Sequence, residues 1–473
     1  MNPSITIYGS MSQIKGSIPL ADLRQATSYE VNGAKFSKAF KKGMWDGRKH
    51  LMSREGVFPT GLLDTVKEVL DARSVAYDVT DLRAFPSSFA PPTLKGISFD
   101  YPYDYQLNAI NTMLEKRAGI VKMGTGSGKT ACAIGVTKAV GLYTLFCVTT
   151  LELLYQVRKE FQKKLGADDT AIGIVGDGVW EPGAWVTVAT VDTLQSRSDT
   201  DECRDLLQRT KLLFLDEAHH LGSETWYDVA TNCPAVMRFA LTATPLDRSD
   251  GADMRLKAAT GDIIVDIPNK ELVKRGVVAR ANIVFDSVTE PILPKNYTYA
   301  AAYKEGVVEN KQALSKIVEW AKVFNEAGLS TLILVEHIAH GNAIDQALWQ
   351  EAFIPHQFIH GKEDTETRVE ALRAFGNREF PVLISSTVLD EGVDCPAIDA
   401  LILAGSRKSR IKTMQRLGRG LRGKKLIAVE FINFCHKYLT SHSNERYEDY
   451  RKEECFPLHA SGPNLELVKK LWG

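Results

Sequence analysis

Eight consecutive residues, Met123-Gly124-Thr125-Gly126-Ser127-Gly128-Lys129-Thr130, have the types and order needed to hold phosphate. Glycines leave backbone N–H groups open where side chains would block a phosphate, and Lys129 adds charge suited to β- and γ-phosphates. The Thr130 hydroxyl is the ligand type that completes a Mg²⁺ shell. The strict spacing asks for glycine where Met123 stands, so the run alone also fits a Gly-rich turn between strand and helix. Its chemical partner begins with Asp216, eighty-six residues after Thr130. The segment Lys211 to His219 reads as a strand buried on both faces, Leu212 to Leu215, closed by two carboxylates. Asp216 can hold Mg²⁺, and Glu217 can orient and deprotonate a water attacking a γ-phosphate. An acidic pair after a strand is often a solvated turn; the phosphate loop upstream changes that balance. A third set is Gln415-Arg416-Leu417-Gly418-Arg419-Gly420-Leu421-Arg422. Arg419 and Arg422 share one face of a helical turn and can meet charge on a transferring phosphoryl group. A solvated basic helix end explains the charge but not the spacing.

Positioning such groups requires parallel sheets. Residues 1–92 alternate short apolar runs with Gly and Asn and end in the Pro-rich segment 85–92, which marks a leading α+β domain. Residues 93–272 read as strand–helix units, with strands at Leu145 to Val148, Val186 to Ala189, Leu212 to Leu215 and Phe239 to Leu241. The helix Leu151 to Leu165 is one of those between them. That alternation predicts a parallel sheet covered on both faces. Residues 273–310, with Pro291 and Pro294, read as strands and an interdomain connection. A second α/β domain follows over 311–440, with strands at Leu332 to Val335, Val382 to Ser385 and Leu401 to Leu403. Residues 441–473 read as a charged, aromatic tail. The 473 residues exceed the ~250–300 at which one core stops growing, so several domains are expected.

The motifs at 124–130, Asp216-Glu217-Ala218-His219, Thr242-Ala243-Thr244-Pro245 and 415–422, in this order, resemble superfamily 2 helicases and translocases. The resemblance spans roughly residues 100 to 435. It implies α/β architecture with two RecA-like domains forming an ATP cleft, with ATP and Mg²⁺ as cofactors. The nucleotide would be held by Gln106, Gly124, Thr125, Gly126, Ser127, Gly128, Lys129 and Thr130, with Gly392 and Asp394 from Ser386 to Asp394. Metal would fall to Thr130 and Asp216, and catalysis to Lys129, Asp216, Glu217, Gln415, Arg419 and Arg422. Thr150, Thr190 and Thr387 would grip DNA, and Thr242 and Thr244 would couple the two events. Each threonine is equally a helix cap or turn hydroxyl when considered singly. At the amino terminus, Tyr29 to Gly33, Gly43-Met44-Trp45-Asp46-Gly47-Arg48 and Phe58 to Leu62 resemble the leading domain of phage UvsW-type branch-migration helicases. This match implies DNA contacts from Trp45, Arg48 and Lys49; a small α+β domain with a core tryptophan is the plainer reading.

The charges sum to zero, with 58 Lys/Arg and 58 Asp/Glu, but they are unevenly spread. Residues 1–60 carry nine basic and four acidic side chains, and residues 405–425 carry nine basic and none acidic. Positive surfaces on a neutral body suit sequence-independent contact with DNA, whether branched, duplex or single-stranded. Seven scattered cysteines with no CxxC pair suggest reduced core thiols. With no long apolar run, the expectation is a monomeric, cytoplasmic protein off the membrane, in the host cytoplasm if phage-encoded. The expected activity is ATP-dependent unwinding and branch migration of DNA. An RNA helicase, a restriction-system motor and an inactive DNA clamp are the alternatives.

Overall fold

A computed structural model describes residues 2–218, 224–243, 252–386, 398–405, 425–452 and 454–473. The chain divides into two compact units, one of residues 1–124 and 128–267, the other centred on residues 268–473.

The leading segment of the first unit builds a small sheet from β1 (Ser4–Ile7), β2 (Met11–Lys15), β5 (Val57–Pro59) and β6 (Asp78–Asp81), in the order β5-β2-β1-β6. A separate antiparallel pair joins β3 (Ser28–Glu30) to β4 (Arg48–His50). The helix Leu63–Ala72 buries Val66 and Leu70 against Ile5, Ile14, Phe58 and Leu62.

The main sheet of this unit contains β7 (Ala118–Met123), β8 (Thr144–Val148), β9 (Ile172–Gly176), β10 (Val179–Glu181), β11 (Val186–Thr190), β12 (Leu212–Leu215), β13 (Met237–Thr242) and β14 (Ile263–Ile267). Their order is β10-β9-β11-β8-β12-β13-β7-β14, and every pairing is parallel except β10 against β9. β8, β11, β12 and β13 are buried at every position, so their mainly apolar sequences follow from cover on both faces, with Thr144, Thr187, Thr190, Arg238 and Thr242 as the buried polar exceptions. Phe161, Phe146, Phe214 and Phe239 form a row on one face, with successive ring centroids 5.6, 5.7 and 5.6 Å apart.

The second unit carries β15 (Arg280–Val288), β16 (Thr331–Leu334), β17 (His356–Ile359), β18 (Val382–Ser385), β19 (Ala400–Leu403), β20 (Lys425–Asn433) and β21 (Leu458–Ala460). They lie in the order β17-β18-β16-β19-β20-β15-β21, all parallel. Both units are therefore parallel-sheet α/β domains of RecA-like type.

Three stretches differ from the sequence reading. Residues 273–310 are more than a connection, because β15 lies inside the second sheet between β20 and β21. Its polar residues disguise it: buried Asp286 accepts hydrogen bonds from Lys316 Nζ at 2.6 Å and Trp320 Nε1 at 3.0 Å. Residues 441–473 are integral too, since β21 extends the sheet and Tyr450 Oη donates to buried Glu430, which also pairs with Arg446. The leading segment does not end its contacts at the Pro-rich linker. Ala258 belongs to its apolar core, Ser10 Oγ donates to the Thr231 carbonyl, and Arg255 Nε donates to Tyr29 Oη at 2.6 Å.

Gly61 makes that seat possible. A Cβ there would lie 2.1 Å from the Lys257 carbonyl oxygen and 2.6 Å from that of Ala258. Gly61→Ala must push two backbones apart and should cost about 1–3 kcal/mol, the usual range for overpacking. Denaturant unfolding of the full chain checks this, and an unchanged midpoint would mean the segment rides loosely.

Candidate nucleotide and nucleic-acid sites

The phosphate loop leaves β7 and opens the helix Lys129–Val140. Met123, the residue out of pattern, is buried as the last residue of the strand, and its carbonyl accepts Lys129 Nζ at 3.4 Å. Gly126 and Gly128 hold φ of +79° and +89°, left-handed values that glycine adopts without strain. A Cβ on Gly128 would meet Gln106 Nε2 at 2.3 Å, so only glycine lets the loop close over this side chain. Gln106 itself is buried on the helix Asp104–Lys116, where its carbonyl also receives the Cys132 thiol. The structure thus brings Gln106 to the loop, 22 residues from Gly128 in sequence.

β13 separates β7 from β12 and sets the distance between phosphate loop and acid pair. Thr242, at its carboxyl end, pairs in register with Lys122 and lies between the two. Asp216 follows β12, with its backbone N–H bonded to the Cys147 carbonyl and its carboxyl almost wholly buried. Burial pushes that carboxyl up to about 7, the neighbouring Glu217 pushes the same way, and the Lys129 charge pulls it down. Glu217 takes a left-handed φ of +48° and its N–H donates to Asp216 Oδ1 at 3.0 Å. A strained residue beside a dry carboxylate is a common mark of a reacting site. The glycine cradle, the helix N-terminus and the buried acid suit Mg²⁺ and a triphosphate, with Thr130 and Asp216 as metal ligands. Among the described residues no cluster of three or more His, Cys, Asp or Glu could hold a metal, so phosphate oxygens and water would complete the shell.

The threonines lie on neighbouring strand ends, because β11 pairs with β8. Thr150 caps the helix Leu151–Leu165 by accepting the Leu153 N–H, which leaves its own O–H to donate. Thr190 is buried and donates to Thr193 Oγ1 at 2.8 Å, so its hydroxyl is already engaged. Thr149 Oγ1 on the same edge is buried with no hydrogen-bond partner among the described residues. Thr244, Thr387, Gly392, Asp394, Gln415, Arg419 and Arg422 lie outside the described residues.

In the leading segment the three expected DNA contacts are all tied into the fold. Trp45 Nε1 donates to the Arg48 carbonyl at 2.7 Å; Arg48 holds Ser28 and Glu30, and Lys49 pairs with Glu224. The side chains left outward are Lys35, Lys38, Lys41, Lys42, Phe36, Phe40 and Met44. In the second unit, sequence reasoning missed a cavity of about 490 Å³ beside the end of β16, lined by Tyr299, Tyr303, Lys304 and His337 among others. Tyr303 Oη donates to buried Glu336 at 2.8 Å.

The chain matches three family models: "Type III restriction enzyme, res subunit" over residues 100–247, "Helicase conserved C-terminal domain" over 310–424 and "DNA helicase UvsW, N-terminal" over 11–80. It is 28% identical over 368 residues to the DNA 3'-5' translocase XPB2 of Sulfurisphaera tokodaii, covering 70% of this chain and 81% of that protein. It is 22% identical over 434 residues to the ATP-dependent DNA helicase uvsW of Enterobacteria phage T4, covering 86% and 85%. Among solved structures, S. cerevisiae Dbp5 bound to RNA and ADP BeF3 aligns with a TM-score of 0.58 at 18% identity, over 78% of this chain and 93% of that one. That likeness shows the fold. No helix among the described residues is long and apolar enough to cross a membrane.

The raised Asp216 pKa makes a stability prediction. The folded protein holds this proton more tightly than the unfolded chain, whose value is near 3.8. Ionising Asp216 therefore costs stability, increasingly from about pH 4 and fully above about 7. Asp216→Asn should raise the melting temperature of the nucleotide-free protein by a few degrees at pH 8 and by less at pH 5. Equal shifts at both pH values would remove the buried-charge explanation.

Proposed function

Because the chain joins both superfamily 2 helicase motor domains to a UvsW-type leading domain, we propose that it is an ATP- and Mg²⁺-dependent motor that unwinds duplex DNA and migrates forks and four-way junctions. The observation that carries this reading is the seating of the leading domain on the motor. Its core includes Ala258, and Lys49 holds Glu224 at 2.5 Å, on helices that follow the Thr242 and Asp216-Glu217 segments. A domain fixed at those points is placed to feel nucleotide chemistry, whereas a tethered one is not.

When bound, Mg²⁺ neutralises phosphate charge. Lys129 and the backbone N–H groups of residues 124–130 orient the triphosphate, and Gln106 approaches the base from behind Gly128. Glu217 takes the proton of the attacking water, a role open to a carboxylate next to the buried Asp216. Arg419 and Arg422 add charge as it develops on the departing phosphoryl group, and Gln415 orients the same reaction. Thr150 and Thr387 hold phosphodiester oxygens, and Thr190, whose hydroxyl is spent on Thr193, shapes the loop beside them, so binding follows the backbone and not the bases. Thr242 and Thr244 link the nucleotide to that grip.

ATPase activity measured with DNA, with RNA and with neither tests the reading, together with unwinding of a four-way junction. Stimulation by RNA alone would overturn it. Glu217→Gln should retain ATP binding and lose at least about a hundredfold in turnover, the scale on which a missing general base acts. Arg419→Ala and Arg422→Ala should lower turnover far more than ATP affinity. A change confined to affinity would assign these arginines to ground-state binding.

A further inference from the structure

The loop between β3 and β4 is a preformed finger with an apolar, basic tip. Its base is closed by the Val31 N–H to the Gly47 carbonyl at 2.8 Å, and Arg48 and Trp45 brace the returning strand. Inside it, Phe36 N–H reaches Gly33 and Met44 N–H reaches Ala39, both at 2.9 Å, so the tip is hydrogen-bonded throughout. Large apolar side chains nevertheless face outward: Phe36 is 72% exposed, Met44 74% and Phe40 40%. Residues 31–45 carry four lysines and no acid, and none of Lys35, Lys38, Lys41 or Lys42 has a salt-bridge partner among the described residues. Lys35 Nζ lies 5.5 Å from the Phe36 ring centroid, which keeps the ring and the charge on one surface.

Apolar side chains ringed by unpaired cations fit a ligand with a flat apolar face and a phosphate border. The exposed end of a base-pair stack at a duplex fork has both. We propose that the finger is a strand-separating wedge: Phe36 and Met44 press on the terminal base pair while the four lysines hold the flanking phosphates. Phe and Met are side chains that proteins insert between base steps to unstack them. The wedge can bear load because its domain is seated on the motor through Gly61, Lys49 and Arg255. This inference rests on the DNA-motor reading.

The test uses the full chain and a forked duplex carrying 2-aminopurine at the junction pair. Wild-type protein without DNA-stimulated ATPase would fail the motor reading before any variant is made. With that activity present, Phe36→Ala combined with Met44→Ala should keep single-strand-stimulated ATPase within about twofold. Fork unwinding should fall about tenfold, the scale of one missing aromatic–base stack, and the 2-aminopurine fluorescence rise should disappear. Replacing Lys35, Lys38, Lys41 and Lys42 with Ala should flatten the slope of log fork affinity against log salt by about 0.9 for each phosphate that a lysine no longer neutralises. Unchanged unwinding and fluorescence in the apolar variant would overturn the wedge and leave the motor intact. Loss of binding to anionic phospholipid vesicles with unwinding preserved would also overturn it, by assigning the tip to a membrane. All six substituted side chains are exposed, and matching melting temperatures would confirm that the variants fold.

Discussion

A carboxylate held dry at the carboxyl edge of a parallel sheet is the constraint on which the first unit is organised. Asp216 cannot ionise cheaply where it sits, and the cation that relieves it must come from Lys129, from Mg²⁺ or from both. Keeping Lys129 and Asp216 in reach requires β13 between their strands, and β13 requires crossovers on both faces. The apolar strands, the phenylalanine row and the glycines of the loop all serve that one spacing.

The same edge gathers both sets of candidate residues on one sheet. The phosphate loop, Thr242 and the acid pair stand at the ends of β7, β13 and β12, while Thr150 and Thr190 sit at the ends of β8 and β11 next to them. No wire between distant regions is needed. Thr242 and Asp216 stand at the carboxyl ends of adjacent, hydrogen-bonded strands.

Much of this was legible in the chain. The runs Leu212 to Leu215 and Val382 to Ser385 and the helix Leu151 to Leu165 have the bounds their patterns predict, because parallel strands covered on both faces are mainly apolar and do not alternate. The phosphate loop, Gln106 and the acid pair converge for the same reason: strand order, not sequence distance, brings them together. What was not legible involves partners. β15 hides behind Asp286, whose polarity is answered only by Lys316 and Trp320 across the fold. The intramolecular partners of Trp45, Arg48 and Lys49 were not legible either, because sequence shows types and not orientation. The seat of the leading segment was hidden because a Pro-rich stretch signals a boundary in the chain but says nothing of what packs across it.

That seat also bears on synthesis. The leading segment is made first, yet the surface its Gly61 packs against ends near residue 260, almost two hundred residues later. At about 5–20 residues per second, roughly 10–40 s pass before the seat exists. Through that interval Leu62, Phe58 and their neighbours have only each other to cover them. The nascent chain is most exposed to aggregation and proteolysis in this window, and slowing synthesis before residue 260 would lower the yield of folded protein.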